Sequence, residues 1–301
     1  MQVFITGASG HIGSALIPEL LGAGHEVIGL ARSDAAAEAV EKRGAKVQRG
    51  SLDDLDVLRD AGRASDGVIH LAFMHEQMNT GDLEGALAAD IEAIEAIGDA
   101  LAGTGKPFVG TSGTLMLAFS GVTGVGTETD VATGGLRGDA ENAVVALAQR
   151  NVRSSVVRLP PTVHSSLDHH GFVPALIGFA RERGHAGYAA DGSNRWPAVH
   201  TLDAAHLYRL ALEGAPAGSR LHAVGDEGVQ FRKIAESIGR NLDLPVTGIA
   251  PDDLADYFSY LAFFVSLDNP TSSTLTQGLL DWHPARPGLL DDLDEGHYFA
   301  V

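Results

Sequence analysis

The chain has 301 residues, of which 45% are hydrophobic, so it is long enough for one large domain or for a domain with a smaller lobe. Its 39 acidic and 21 basic residues give a formal net charge of −18, which argues against nucleic acid or an anionic membrane surface as a partner. Cysteine is absent, which excludes disulfides, thiolate chemistry and cysteine-based metal sites. A strand is predicted directly after Met1, and no apolar run approaches the ~20 residues of a membrane span. We therefore expect a cytoplasmic protein.

The first strand leads into the pattern of a phosphate-binding turn. Val3, Phe4 and Ile5 predict a buried strand, residues 6–13 (TGASGHIG) are rich in glycine, and the apolar residues of 15–21 have helical spacing. This order lets the backbone approach a dinucleotide pyrophosphate, while N–H groups at the helix N-terminus face the anion. The stretch therefore predicts a dinucleotide site.

The second predicted strand, 26–31, ends at Arg32 and Ser33 rather than at an acidic residue. A cation beside a hydroxyl suits a 2′-phosphate better than a bare ribose diol, so we expect NADP(H) rather than NAD(H). The alternative is that Arg32 is a solvated surface residue and that Asp34 binds the ribose.

Strands and helices alternate along the following part of the chain. The predicted strands are 46–50, 67–72, 107–112, 154–159 and 220–224, and the predicted helices include 81–101, 139–150, 172–183, 203–213 and 231–242. Parallel neighbours need crossover connections, so the alternation predicts a doubly wound, Rossmann-like α/β fold with a parallel sheet. We expect residues 1–160 to form the dinucleotide-binding domain, with segments at about 186–225 returning to it, and 161–301 to form mostly a smaller C-terminal substrate lobe.

Five motifs, in this order and spacing, resemble the extended short-chain dehydrogenase/reductase family, also called the NAD-dependent epimerase/dehydratase family. They are T-G-x-x-G-x-x-G at 6–13, G-S-L at 50–52, V-I-H-L-A at 68–72, R-L-P at 158–160 and V-H-x-x-D at 199–203. The resemblance spans most of the chain and implies a set of cofactor contacts. These are Gly7, Ser9, Gly10, His11 and Ile12 at the pyrophosphate, Arg32 and Ser33 at the ribose phosphate, Ser51 and Leu52 at the adenine, Leu71 and Ala72 on the ribose side, and Pro160 and Val163 at the nicotinamide.

The chain departs from that family at its proton-transfer pair. The family uses a Tyr four residues before a Lys, and none of the five tyrosines here has a Lys four positions later. We place Arg137 and Glu141 at the corresponding positions. A guanidinium is a poor proton donor, so we interpret Arg137 as a substrate contact, and an Arg137–Glu141 ion pair on one helix face is the alternative.

Other groups at the carboxyl edge of the sheet are candidates for the missing donor. We predict that His75 acts with Ser112 or Thr114, because both loops leave the sheet beside the expected nicotinamide, and that His164 is the reserve. Gly113 falls where the family carries its active Ser or Thr. His169 and His170 have no third ligand at a recognisable spacing, so we expect no metal.

An aromatic residue also marks the substrate side. Members of that family that bind nucleotide sugars carry an Arg at the position of Trp196 in this chain. Together with Phe73, Trp196 favours an apolar or aromatic substrate. The alternative is that Trp196 belongs to the core.

These features predict an NADP(H)-dependent oxidoreductase of the atypical short-chain type that acts on a small, largely apolar carbonyl-type substrate. A homodimer is one expected assembly. One alternative is a catalytically silent NADP(H)-binding redox sensor, and a weaker one is a nucleotide-sugar epimerase or dehydratase, whose tyrosine base would also be missing. We favour the reductase because an apolar lobe and several polar groups converge on the nicotinamide side.

Overall fold

The computed structural model describes residues 1–75, 77, 80–135 and 137–300. Its strands are β1 Gln2–Thr6, β2 Glu26–Ala31, β3 Lys46–Arg49, β4 Gly67–His70, β5 Pro107–Gly113, β6 Arg153–Leu159, β7 Thr162–His164, β8 Ala186–Ala189, β9 Arg195–His200, β10 Ser219–His222, β11 Asp226–Gln230 and β12 Val246–Ile249. Its α-helices are α1 His11–Gly22, α2 Asp34–Glu41, α3 Leu55–Ala64, α4 Leu83–Leu101, α5 Leu115–Phe119, α6 Gly138–Ala146, α7 Phe172–Arg183, α8 Thr201–Gly214, α9 Phe231–Leu242, α10 Leu254–Phe258, α11 Thr274–Leu280 and α12 Leu289–Asp294.

Seven parallel strands form the main sheet in the order β10-β6-β5-β4-β1-β2-β3. The strand order reverses at β1, which lies between β2 and β4. Open α/β sheets bind ligands at such a switch point, outside the carboxyl ends of the strands. The doubly wound fold predicted from the sequence is confirmed.

Helices cover both faces of this sheet because its strands are apolar on both sides. In β1, Val3 and Ile5 pack with residues of α1 and α8, whereas Phe4 packs with residues of α3, α4 and α6. All three side chains are fully buried, and each contributes about 1.5–3 kcal/mol by leaving water. The buried sheet holds the carboxyl ends of its strands in fixed positions.

The C-terminal part has a core of its own, which includes Trp196, Phe231 and Phe258. Two small sheets belong to this region, one with the order β11-β9-β7 and one with the order β12-β8. Within 186–225, α8 and β10 return to the main sheet, while β8 and β9 belong to the small sheets. In the part of the chain that the structure describes, no helix is long and apolar enough to cross a membrane.

Candidate active site

The glycine turn between β1 and α1 leaves no room for side chains. A Cβ on Gly7, whose φ is +70°, would lie 2.7 Å from the backbone nitrogen of Ala72, and a Cβ on Gly13 would lie 2.4 Å from the carbonyl oxygen of Gly7. Helix α1 begins after Gly10, and among the described residues no side chain caps it. The N–H groups of its first turn therefore face the end of the sheet, where an anion such as a pyrophosphate fits.

The ends of β2 and β3 carry the groups predicted to select the adenosine ribose. Arg32 is exposed, and the Ser33 hydroxyl accepts a hydrogen bond from the backbone N–H of Ala36, which caps α2. The carboxylate of Asp34 forms an ion pair with Arg49 at the end of β3. Arg32 and the Arg49–Asp34 ion pair thus lie at this edge.

At the adenine side, Ser51 forms a tight turn with Asp54. The Ser51 backbone N–H donates to the Asp54 carboxylate at 2.7 Å, and Leu52 is buried against the sheet. On the ribose side, Leu71 and Ala72 lie against the glycine turn, with the Ala72 N–H donating to the Thr6 hydroxyl oxygen at 3.2 Å. These positions agree with an extended cofactor across the carboxyl edge, although the individual contacts remain predictions.

A buried chain of polar groups connects the glycine turn with α4 and α6. His70, at the end of β4, contacts the Thr6 hydroxyl through Nδ1 at 2.8 Å and the Asp90 carboxylate through Nε2 at 3.0 Å. The second carboxylate oxygen of Asp90 lies 3.6 Å from the Arg137 guanidinium. That guanidinium also donates to the carbonyl oxygen of Thr111 in β5 at 3.0 Å. Arg137 is therefore fixed at the carboxyl ends of β4 and β5.

Arg137 and His75 both contact the ring of Phe73. The Arg137 guanidinium carbon lies 4.6 Å from the Phe73 ring centroid, and the His75 ring packs edge-on against the same ring with centroids 5.1 Å apart. Restricted access of water to the imidazole and the positive charge of Arg137 lower the pKa of His75, while Asp90 opposes this effect. The structure thus brings together three residues predicted for catalysis or substrate binding.

The Arg137–Glu141 ion pair considered from the sequence is wrong. Glu141 is fully buried and accepts hydrogen bonds from Arg158 at 2.9 Å and from Arg220 at 3.0 Å. Burial alone would raise the pKa of Glu141, but the hydrogen bonds from Arg158 outweigh burial and lower it. Arg137 lies one turn earlier and contacts Asp90, which leaves Glu141 to pair with Arg158 of β6 and Arg220 of β10.

The two predicted hydroxyl groups lie below the surface. Ser112 is 2% exposed and lies beside the Glu141 carboxylate, and Thr114 is fully buried and accepts a hydrogen bond from the Asn269 side chain at 2.9 Å. Thr114 therefore connects the end of β5 to the C-terminal region. His75 and Arg137 are the more accessible polar groups at this edge.

His164 belongs to a buried network beside the glycine turn. Its Nδ1 lies 2.8 Å from the Asp292 carboxylate, and its backbone carbonyl accepts a hydrogen bond from Thr201. Thr201 also contacts His11 Nε2 at 2.7 Å and Ser165 at 2.8 Å. Burial and neighbouring histidines lower the pKa of His11 to about 4, so it is neutral at physiological pH. The network holds β7 and α8 against the start of α1, and it encloses the histidine predicted as the reserve acid.

The structure places Trp196 in the core of the C-terminal region. Its side chain is fully buried and packs against Phe172 and Phe231. The partly exposed aromatic surface comes instead from residues that the sequence analysis missed, above all Phe119 and Phe263. Asp90 was missed as well, although its signal was present: it follows Ala86 and precedes Ile94 on the buried face of α4.

Comparisons with known proteins agree with this architecture. Residues 3–113 match the model of the NAD dependent epimerase/dehydratase family. An uncharacterized protein of Schizosaccharomyces pombe is 44% identical over 301 residues, which cover 99% of this chain and 100% of that protein. A decarboxylating sterol-4-alpha-carboxylate 3-dehydrogenase of Dictyostelium discoideum is 26% identical over 248 residues, or 77% of this chain and 74% of that protein.

Solved structures show the same fold at low identity. UDP-glucuronic acid 4-epimerase from Bacillus cereus, in complex with UDP-glucuronic acid and NAD, superposes with a TM-score of 0.77 at 19% identity, covering 99% of this chain and 98% of that chain. The dTDP-glucose 4,6-dehydratase DesIV from Streptomyces venezuelae, with NAD bound, gives a TM-score of 0.76 at 18% identity, with coverage of 99% and 96%.

The reversed strand order and the glycine turn together define a doubly wound fold with an anion-binding turn at the carboxyl edge of its sheet. The chain belongs to the NAD-dependent epimerase/dehydratase family of extended short-chain dehydrogenases/reductases.

Proposed function

We propose that the protein is an NADP(H)-dependent oxidoreductase of the atypical short-chain type that acts on a small, largely apolar carbonyl-type substrate. The observation that carries the proposal is the placement of Arg137 and His75 around Phe73, at the carboxyl ends of β4 and β5. A cation and a titratable imidazole at this edge are the groups that carbonyl reduction requires in place of a Tyr–Lys pair.

The division of roles follows from the chemistry of the two groups. A nicotinamide cofactor held at this edge would supply or accept the hydride. Arg137 stabilises the negative charge that develops on the carbonyl oxygen, because its guanidinium is permanently charged and is fixed by Asp90 and Thr111. His75 donates the proton, and Pro160 and Val163 lie at the nicotinamide as implied by the family resemblance.

The preference for NADP(H) is supported by the ends of β2 and β3. Because Arg49 pairs with Asp34, the carboxylate that competes for the ribose hydroxyls is already engaged. Arg32 and Ser33 lie between the end of β2 and the start of α2, where a cation and the helix dipole favour an anion such as a 2′-phosphate.

The decisive experiment measures NADPH consumption with ketones, aldehydes, imines and enones, and includes UDP-sugars because proteins of similar fold are named in complex with them. We expect turnover with small apolar carbonyl compounds and none with UDP-sugars. If no compound oxidises NADPH while NADPH and NADP⁺ bind with clearly different affinities, the redox-sensor function replaces the reductase.

A further inference from the structure

Two chain segments meet above the carboxyl end of β5. Helix α5 begins directly after Thr114, and residues 262–269 return to the same point, where the Asn269 side chain donates to the Thr114 hydroxyl at 2.9 Å. The returning segment is fixed further by Asp268, which accepts hydrogen bonds from Arg195 at 2.8 Å. Neither segment is a loose surface loop, so the side chains that they carry have defined positions.

The two segments and the start of α7 carry a cluster of phenylalanines, which we call the aromatic wall: Phe119, Phe172, Phe263 and Phe264. The rings of Phe119 and Phe263 stack at a centroid distance of 5.5 Å and an interplanar angle of 19°. Phe264 contacts Phe119 edge-on at 6.1 Å and Phe172 at 5.6 Å. The wall is therefore continuous from the end of α5 to the start of α7, and Phe172 joins it to the buried Trp196.

The wall is only partly covered. Phe263 is 63% exposed even though it stacks on Phe119. Phe119 ends the helix that begins directly after Thr114, and Arg137 donates to the Thr111 carbonyl of the strand that precedes this helix. The wall is thus joined through one strand and one helix to the edge that carries Arg137, and apolar walls with a few polar groups characterise small-molecule sites.

A second exposed aromatic residue, Tyr260, lies two residues before this segment. Tyr260 is 62% exposed, but its ring lies 6.3 Å from Phe179 on α7, which belongs to the C-terminal core region. Phe263 contacts Phe119 on α5, the element that follows directly from the sheet edge. The two residues therefore match in exposure and differ in whether the ring that they contact lies on the helix that follows β5.

From this arrangement we infer that the aromatic wall binds a planar aromatic ring of the substrate, and that the carbonyl conjugated to this ring is directed toward Arg137 and His75. The inference rests on the proposed function and narrows its substrate class from apolar carbonyl compounds to aryl carbonyl compounds. Ring stacking against Phe263 favours a planar ring over a saturated ring of the same size, because offset and edge-on contacts between aromatic rings add to the burial of apolar area.

The test compares acetophenone with cyclohexyl methyl ketone, which differ in the planarity of the ring. For the wild-type protein we expect kcat/KM to be higher for acetophenone. Phe263→Ala should raise the KM for acetophenone about 3- to 10-fold and change the KM for the saturated ketone less, with kcat little altered. Phe263→Leu keeps an apolar side chain but removes the aromatic face, so it should lose the preference for acetophenone and retain the KM for the saturated ketone.

Tyr260→Ala is the matched control and should leave both ketones unaffected. Equal effects of Phe263→Ala on the two ketones, or the same effects from Tyr260→Ala, overturn the inference. Melting temperatures of the three variants establish that each is folded, which is expected because both positions are mostly exposed.

A binding measurement separates failure of this inference from failure of the proposed function. Benzamide and cyclohexanecarboxamide carry the same contrast between rings and are not reduced, so their binding to the NADPH-loaded protein is measured by calorimetry. Tighter binding of benzamide, lost in Phe263→Leu, supports the aromatic wall even if no ketone is reduced. Equal binding of the two amides, or binding of neither, overturns the inference that the aromatic wall binds the substrate ring, even if ketones are reduced.

Discussion

Replacing Asp90 with Asn tests whether the buried chain behind Arg137 controls the chemistry of the site. The substitution keeps the shape of the side chain and an oxygen for His70, but it removes the negative charge that lies 3.6 Å from the Arg137 guanidinium. Asp90 is 1% exposed, so water does not reach this position to compensate for the negative charge that the substitution removes. The positive charge of Arg137 then acts on His75 without its counterion.

The expected effects have a definite sign. Two unit charges about 4 Å apart interact by about 4 kcal/mol at an effective dielectric constant of about 20. Part of this is offset by desolvation and by the partial exposure of Arg137, so we expect Asp90→Asn to lower the free energy of unfolding by about 1–3 kcal/mol. Because Arg137 lowers and Asp90 raises the pKa of His75, the variant should lower that pKa further.

The assay is the pH dependence of carbonyl reduction together with an NMR titration of the His75 ring in the free protein. A proton donor works while it is protonated, so kcat/KM for reduction should decrease as the pH rises through the pKa of His75, and in Asp90→Asn this decrease should begin at lower pH. Asp99→Asn, on the same helix but exposed and paired with Arg150, is the control and should leave the profile unchanged. A folded Asp90→Asn variant with an unshifted profile and an unshifted His75 titration would refute the reasoning.

Three further predictions follow from other parts of the site. His75→Ala should lower turnover about 10²–10⁴-fold with little change in NADPH affinity; near-normal turnover on a confirmed substrate would remove His75 from the mechanism. Arg32→Ala should remove most of the preference for NADPH over NADH in fluorescence titrations, since a charged contact contributes about 1.5–3 kcal/mol. An equal loss of affinity for both cofactors would contradict a contact with the 2′-phosphate. The pKa of Glu141 is lowered in the folded protein, so its ionised form stabilises the fold at pH values above 4.5, the pKa of the carboxyl group in the unfolded chain. This contribution is lost as the pH falls through the lower pKa of the folded state. Glu141→Gln should therefore lower the free energy of unfolding by about 3–5 kcal/mol in urea denaturation at pH 7, and it should weaken the loss of stability at acid pH. If the loss of stability at acid pH is unchanged, other carboxylates cause the acid unfolding.

The main sheet could be predicted from the sequence because its signals are local. Strand β2 and helices α7 and α9 have the bounds predicted from apolar spacing, and the glycine turn is recognisable from the order of strand, turn and helix. A run such as Val3 to Ile5 is apolar throughout, and this local pattern is typical of a strand buried on both faces of a parallel sheet.

The partners of the charged residues could not be predicted in the same way. Arg137 and Glu141 are four residues apart near the start of one helix, a spacing that favours an ion pair in an isolated helix by only about 0.2–0.5 kcal/mol. Burying Glu141 beside Arg158 and Arg220 satisfies a carboxylate that has lost its water, and that requirement outweighs the local preference. These arginines come from β6 and β10, which become neighbours only when the sheet has formed.

The aromatic wall was missed for a related reason. Phe119 and Phe263 are separated by 144 positions, and neither lies in a motif. Their contact depends on the hydrogen bond between Asn269 and Thr114, which brings the C-terminal segment back to β5. Trp196 drew attention in the sequence because it is large and close to a motif, yet a residue of that size is usually buried, and here it is.

The buried chain also bears on the choice between an enzyme and a sensor. The Asp90 carboxylate is held between His70 and Arg137 in the interior, where placing a charge costs free energy unless its partners are well arranged. Binding of the cofactor at the glycine turn does not require this arrangement, because the turn already presents the N–H groups of α1 to the pyrophosphate. What the arrangement does provide is a fixed cation at the edge where, in the proposed reduction, a carbonyl oxygen would gain charge, next to an imidazole that could deliver a proton. Fixed polar groups of this kind act without reorganising during the reaction, and that property matters for catalysis rather than for reporting which cofactor is bound.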